Sequence, residues 1–176
     1  MYDIPETNPN SNREVSTMNQ KKLSLWLKAI IIAVGICGLI VYFGILPEIG
    51  STMTGTYPEF SSWHWPWMIF LWLTAIPCYI ILVLAWKIAA NIGNDRSFSV
   101  ENAELLQSIA WLIAGDILFF FVGNAILLFL NMNHPGIILL SLLICAIGIA
   151  ISIAAACLSH LVRKAADLQE QSDLTV

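Results

Sequence analysis

Charge is scarce in this chain. Eight Lys or Arg and twelve Asp or Glu make up 11% of 176 residues, where a soluble domain carries roughly 25%. Hydrophobic residues make up 58%. Once the apolar runs are set aside, too little chain is left for a soluble domain. There is no basic face of the kind that binds nucleic acid directly. No C-x-x-C pair occurs, and Cys37, Cys78, Cys145 and Cys157 all lie inside apolar runs. Such cysteines behave as small hydrophobes, so packing is expected of them and neither disulfide nor metal. A Gly-rich phosphate loop, an H-E-x-x-H pair and a nucleophile elbow are also missing. With so few polar groups at any one depth, neither an enzyme nor a cofactor protein is expected.

What is present is four long apolar runs, at about 23–46, 66–90, 109–130 and 136–161. Each is about 20 residues or more. That length crosses a hydrocarbon core of roughly 30 Å at a rise of about 1.5 Å per residue. The first run is too long for a signal-peptide core, and Pro47-Glu48-Ile49-Gly50 is a poor cleavage site, so it is expected to stay as a span. Residues 1–22 are polar and read as a flexible cytoplasmic tail. Residues 23–161 read as one four-transmembrane-helix domain, and 162–176 as a cytoplasmic C-terminal tail. The expected fold is therefore all-α, an integral membrane four-helix bundle.

The rare cations set the orientation. Arg13, Lys21, Lys22, Lys28, Lys87, Arg96, Arg163 and Lys164 flank the N-terminal tail, the second loop and the C-terminal tail. The first loop (47–65) and the third (131–135) have none. The excess of cations on cytoplasmic loops predicts N-in and C-in. Trp63, Trp65 and Trp67 fall at the outer boundary, and Trp26, Trp86 and Trp111 near the inner one, as headgroup-level anchors. In the second loop, Asn94 to Ser97 reads as a turn. Ser99 reads as the N-cap of the third helix, with Glu101 and Glu104 in its first turns.

Asp116 is the one acidic group deep in an apolar run. A charge there is costly unless paired or neutralised, so it is expected to face other helices. Ser108, Leu112, Asp116, Phe120 and Asn124 recur every four residues and form one stripe, with Gly123 beside it. Lys87 lies near the inner end of the second helix, and its stem is long enough to propose a pair with Asp116. The candidate intramembrane polar site is therefore Asp116, Asn124, Ser108 and Lys87. It is either a structural pair or a proton- or ion-responsive site. Pro77 removes one helix hydrogen bond and predicts a kink in the second helix. The line Gly148, Ser152, Ala156 and His160 predicts close packing in the bundle, with a homo-oligomer face as the alternative. His64 and His134, in the two outer loops, lack a third ligand other than Glu48 or Glu59, so no metal site is expected. The alternation of Leu174 and Val176 around Thr175 suits strand addition to a partner, against a frayed tail.

Several stretches resemble one family of small bacterial membrane proteins. They are Ala75-Ile76-Pro77-Cys78-Tyr79, Arg96-Ser97-Phe98-Ser99 with Asn102, Gly115-Asp116-Ile117-Leu118, Gly123-Asn124 and His134-Pro135-Gly136. The fullest runs from Leu158 through His160, Arg163 and Lys164 to Leu168, and on to Ser172-Asp173-Leu174-Thr175-Val176. Over roughly residues 25–176 the chain looks like the domain-of-unknown-function 2975 family. The resemblance implies four helices in a bacterial cytoplasmic membrane and no known activity. It also implies a partner, a small helix-turn-helix regulator of the Cro type. Arg96, Phe98, Arg163, Lys164, Leu174 and Val176 would then be the partner-facing residues. The leading expectation is a regulatory or sensory membrane protein. The alternatives are a small ion, proton or solute translocator using Asp116, and a structural or immunity-type protein.

Overall fold

The computed structural model describes residues 9–56, 64–133 and 135–173, and among them every regular element is a helix. Helix α1 spans Pro9–Ile40 and passes through a π turn, Val41–Ile45, into α2, Leu46–Thr56. Helix α3 spans His64–Gly93, α4 Val100–Phe129 and α5 Pro135–Asp173. Among the described residues four helical stretches are long and apolar enough to cross a membrane: Asn19–Thr52, His64–Gly93, Val100–Phe129 and Gly136–Ser172. Their large apolar side chains stay mostly exposed, Trp111, Leu139 and Phe129 among them. That surface suits lipid, which solvates hydrocarbon as well as a protein core does.

The first helix begins at Pro9, inside the segment read from sequence as a tail. It also continues past Leu46, where the sequence reading places a loop. Pro47 explains how. It has no N–H to donate one turn back, and the chain absorbs this as a π turn in which Leu46 N–H reaches the Val41 carbonyl. Single π turns of this kind sit inside otherwise regular helices. The Tyr42 carbonyl then accepts from Trp72 Nε1 at 3.2 Å, and the Trp72 ring stacks on Phe43 at 5.9 Å. Helix α3 runs through Pro77 as one continuous element.

Two turns are closed by non-glycine residues in the left-handed region, Asp95 (φ 63°) and Asn131 (φ 55°). After α3, Arg96 N–H bonds the Asn91 carbonyl and Asp95 N–H the Ile92 carbonyl. After α4, Met132 N–H bonds Leu127 and Asn131 N–H bonds Leu128. Both are Schellman caps, in which Asp or Asn takes the place glycine commonly fills.

The spanning helices pack in chain order. Helix α1 lies on α3, α3 on α4 and α4 on α5. Among the described residues the backbone of α1 meets neither α4 nor α5, and α3 does not meet α5. The seams explain the pairing. On α5, with Ala156 and Ala165 half-buried beside it, an inward line runs through Ser141, Cys145, Gly148, Ser152, Ala155, Ser159, Val162 and Ala166. They alternate steps of four and three, the spacing of a helix–helix seam. Nearly all are small, which lets the backbones approach. Ser152 Oγ donates to the Ala110 carbonyl at 2.8 Å, and Ser159 Oγ to Ala103 at 2.6 Å. A Cβ on Gly148 would press on Ile117. The line read from sequence thus meets α4 through Gly148 and Ser152, whereas His160 is exposed.

Helix α1 uses the same design. Ser24 Oγ donates to the Ala89 carbonyl at 2.6 Å, Tyr79 Oη donates to Gly35 at 3.0 Å, and Gly38 lies against the same tyrosine. Because neighbouring helices run antiparallel, the N-terminal end of α1, the α3–α4 turn and the C-terminal end of α5 share one end of the molecule. Lys21, Lys22, Lys28, Lys87, Arg96, Arg163 and Lys164 all gather there, which we call the turn end.

Candidate functional site

Two polar assemblies among the described residues bear on function, one at the turn end and one inside the apolar layer. At the turn end Ser99 is extended (φ −129°, ψ 151°), and its side chain accepts from Asn102 N–H at 3.2 Å, the N-cap expected from the sequence. Asn102 is 1% exposed. Its Nδ2 donates to the carbonyls of Arg96 (2.9 Å) and Ser97 (3.1 Å), and its Oδ1 accepts from Asn91 Nδ2 (2.9 Å). Both amide protons and the amide oxygen are therefore used. One side chain ties the end of α3, the turn and the start of α4 together. Ser97 Oγ also donates to Gln20 Oε1 at 3.3 Å, joining the turn to α1. The turn carries Phe98, which is 59% exposed, beside an exposed Arg96. Sequence reasoning missed the part Asn102 plays. Its signal was a polar residue at the third position after a serine N-cap.

Within the apolar layer Asp116 meets Cys78, whose Sγ donates to Oδ2 at 3.8 Å. Asp116 Oδ1 is buried with no hydrogen-bond partner. Thr74, one turn from Cys78 on α3, is buried and donates to the Leu71 carbonyl at 2.7 Å. Its hydroxyl proton is thereby used, so Tyr42 is the donor in the 3.3 Å contact between Tyr42 Oη and Thr74 Oγ1. Residues of three helices thus place polar groups near one depth: Tyr42, then Thr74 and Cys78, then Asp116.

The four residues proposed from sequence for this site are not brought together. Ser108 is exposed and bonds back to the Glu104 carbonyl at 2.9 Å. Asn124 is buried at the opposite end, where Nδ2 donates to Phe120 (2.9 Å) and Oδ1 accepts from Asn133 Nδ2 (3.0 Å). Lys87 is exposed, and Asp116 has Cys78 where a lysine was proposed. The reason is register. Asn91 faces Asn102, Cys78 faces Asp116 and Phe70 faces Gly123. Lys87 therefore lies two and a half turns, about 13 Å, nearer the turn than Asp116 does. No metal-holding cluster occurs among the described residues. His134, Leu174 and Val176 lie outside them, and Arg163 and Lys164 are exposed on α5.

Four helices of spanning length with small-residue seams define an all-helical membrane protein. The chain belongs to the DUF2975 family of proteins of unknown function, whose model matches residues 48–176. It is also similar to an uncharacterised membrane protein, YoaS, of Bacillus subtilis (strain 168). The two are 26% identical over 155 residues, which cover 87% of this chain and 97% of that protein. No solved structure matches.

Proposed function

We propose that this protein is a regulatory or sensory component of the bacterial cytoplasmic membrane that docks a cytoplasmic partner at its turn end. The observation that carries the reading is the Asn102 lock. A buried side chain with both amide protons and its oxygen engaged holds Phe98 and Arg96 in place on the surface. An exposed aromatic beside an arginine on a rigid support is the composition of an interface anchor. The partner class proposed here, a small helix-turn-helix regulator of the Cro type, rests on the family resemblance noted in the sequence. The cations gathered at the turn end support a cytoplasmic position for that end. Reporter fusions after residues 55 and 133 test the placement, and both are expected to report the exterior.

The docking itself is tested by a photo-crosslinking residue in place of Phe98 in growing cells. A small cytoplasmic protein is expected in the crosslink, and it should vanish when Asn102 is also changed to Ala. Crosslinks to lipid alone would end this reading. The unpartnered oxygen of Asp116 favours a second reading, a small proton or ion translocator. Flux into proteoliposomes should then differ between the native chain and Asp116→Asn, and equal flux removes it.

A further inference from the structure

Among the described residues, the two lysines that α1 turns toward α3 have no anionic partner. Lys21, Ser24 and Lys28 follow the three-then-four spacing of the α1 seam, so all three lie on the face that meets α3. Ser24 is 4% exposed and fixes that face against Ala89 and Gly93. Lys28 Nζ stands 5.4 Å from the centre of the Trp86 ring. This is cation–π range, an interaction that orients the ammonium without neutralising it. Neither lysine makes an ion pair among the described residues.

Beside Lys21 an open cleft of about 350 Å³ lies between α1 and the end of α3, lined by Gln20, Lys21, Gly93, Asn94 and Asp95. Its volume falls in the range of about 300–1,000 Å³ that holds small molecules. Trp26 and Trp86 flank this level and are exposed, as at a headgroup boundary. The charge is also one-sided. Near the turn end α1, α3 and the turn carry Arg13, Lys21, Lys22, Lys28, Lys87 and Arg96 against Glu14 and Asp95. The same end of α4 and α5 carries Arg163 and Lys164 against Glu101, Glu104, Asp167, Glu170 and Asp173. The excess cation is thus confined to the α1–α3 side.

We propose that the α1–α3 cleft binds the headgroup of an anionic glycerophospholipid. Its phosphodiester lies against Lys21 at the cleft. Lys28, two turns along the same face of α1 and outside the cleft lining, reaches toward it from the membrane side, and the lipid's acyl chains run along the exposed apolar flank of α1. Gln20, Asn94 and the Asp95 carboxylate offer polar partners for headgroup hydroxyls, which makes a glycerol headgroup the best fit. Basic pockets between helices at a membrane surface recognise lipid headgroups by this chemistry.

The test is lipid retention. The full chain is reconstituted in equimolar phosphatidylcholine and phosphatidylglycerol and extracted in mild detergent, and its bound lipids are counted by native mass spectrometry. Phosphatidylglycerol should be retained preferentially. Lys21→Gln should lower that preference about five-fold, and Lys28→Gln by a similar factor. The paired change Arg163→Gln with Lys164→Gln should leave it unaltered, and excess inorganic phosphate should not displace the lipid. Lys21 is exposed near the polar start of α1, so Lys21→Gln keeps the test sound even if Lys28→Gln disturbs packing. Equal retention of the two lipids by the native chain overturns the proposal. So does an unchanged preference in Lys21→Gln, or an equal loss in the Arg163 and Lys164 variant. Displacement by inorganic phosphate would mark the occupant as a soluble anion and overturn it as well.

Discussion

Asn91 and Asn102 face each other across the α3–α4 turn, with Nδ2 of the first 2.9 Å from Oδ1 of the second. The contact binds two spanning helices through one amide pair, in which Asn102 is buried and Asn91 half-buried. Removing one partner strands the other, and a stranded buried polar group costs more than the bond contributes. Asn102→Ala is expected to destabilise the protein by about 2–3 kcal/mol, since two carbonyls and one amide lose their partner together. Asn102→Asp should do nearly the same, because an ionised carboxylate cannot donate to Arg96 and Ser97. Unfolding in mixed micelles against a rising fraction of denaturing detergent measures both, and a loss within experimental error would refute the lock.

The bond from Trp72 to the Tyr42 carbonyl depends on a proline five residues beyond Tyr42. Trp72→Phe should cost about 1 kcal/mol by leaving that carbonyl bare. In a Pro47→Ala background the chain regains an N–H, the π turn can relax to α, and the Trp72→Phe cost should shrink. A double-mutant cycle reads the coupling. Additive effects would mean that the carbonyl is not held open by Pro47.

A Cβ on Gly123 would overlap the ring of Phe70, which also packs against Phe119 at 5.4 Å and Phe120 at 6.0 Å. Gly123→Ala is expected to cost about 1–3 kcal/mol through overpacking. Phe70→Leu should recover part of that loss while being destabilising alone. Failure of the second change to rescue the first would show that the α3–α4 seam yields elsewhere.

Asp116 gives the reverse expectation. Its Oδ1 is buried without a partner, and its other oxygen has only a thiol. Replacing it with an apolar residue removes a group that costs free energy at that depth. Asp116→Leu should raise stability by about 1–3 kcal/mol in the same micelle assay. A gain in stability joined to a loss of biological response would identify a residue retained for function. A loss of stability would mean that the carboxyl has a structural partner.

Much of the fold was legible because lipid imposes a length and a surface on any helix that crosses it. The four apolar runs, the turn at Asn94 to Ser97 and the Ser99 cap all follow from local composition. The continuation through Pro47 was not legible, because a proline after an apolar run reads as a stop. Only the π turn and the indole of Trp72, distant in sequence, remove that objection. The neighbours of Asp116 were partly legible. A short turn centred near Arg96 and Ser97 fixes an antiparallel register, and counting outward from it sets Asp116 level with Pro77 and Cys78. The reach of a lysine stem obscured that simpler count. The small-residue seam on α5 was visible at Gly148 and Ser152. However, strict four-residue spacing drifts off a seam that alternates four and three, so it continued to His160 where the structure continues to Ser159.

The chain-order packing of the helices has a mechanical meaning. Helices α1 and α5 are outer members, and among the described residues each rests on a single spanning neighbour with no backbone contact between them to close a ring. The stability of such a row is close to a sum of nearest-neighbour terms, as in repeat proteins. An outer helix can detach and return while the remaining interfaces stay intact. Partial release at one margin, and not all-or-none melting, is the motion this architecture makes easiest.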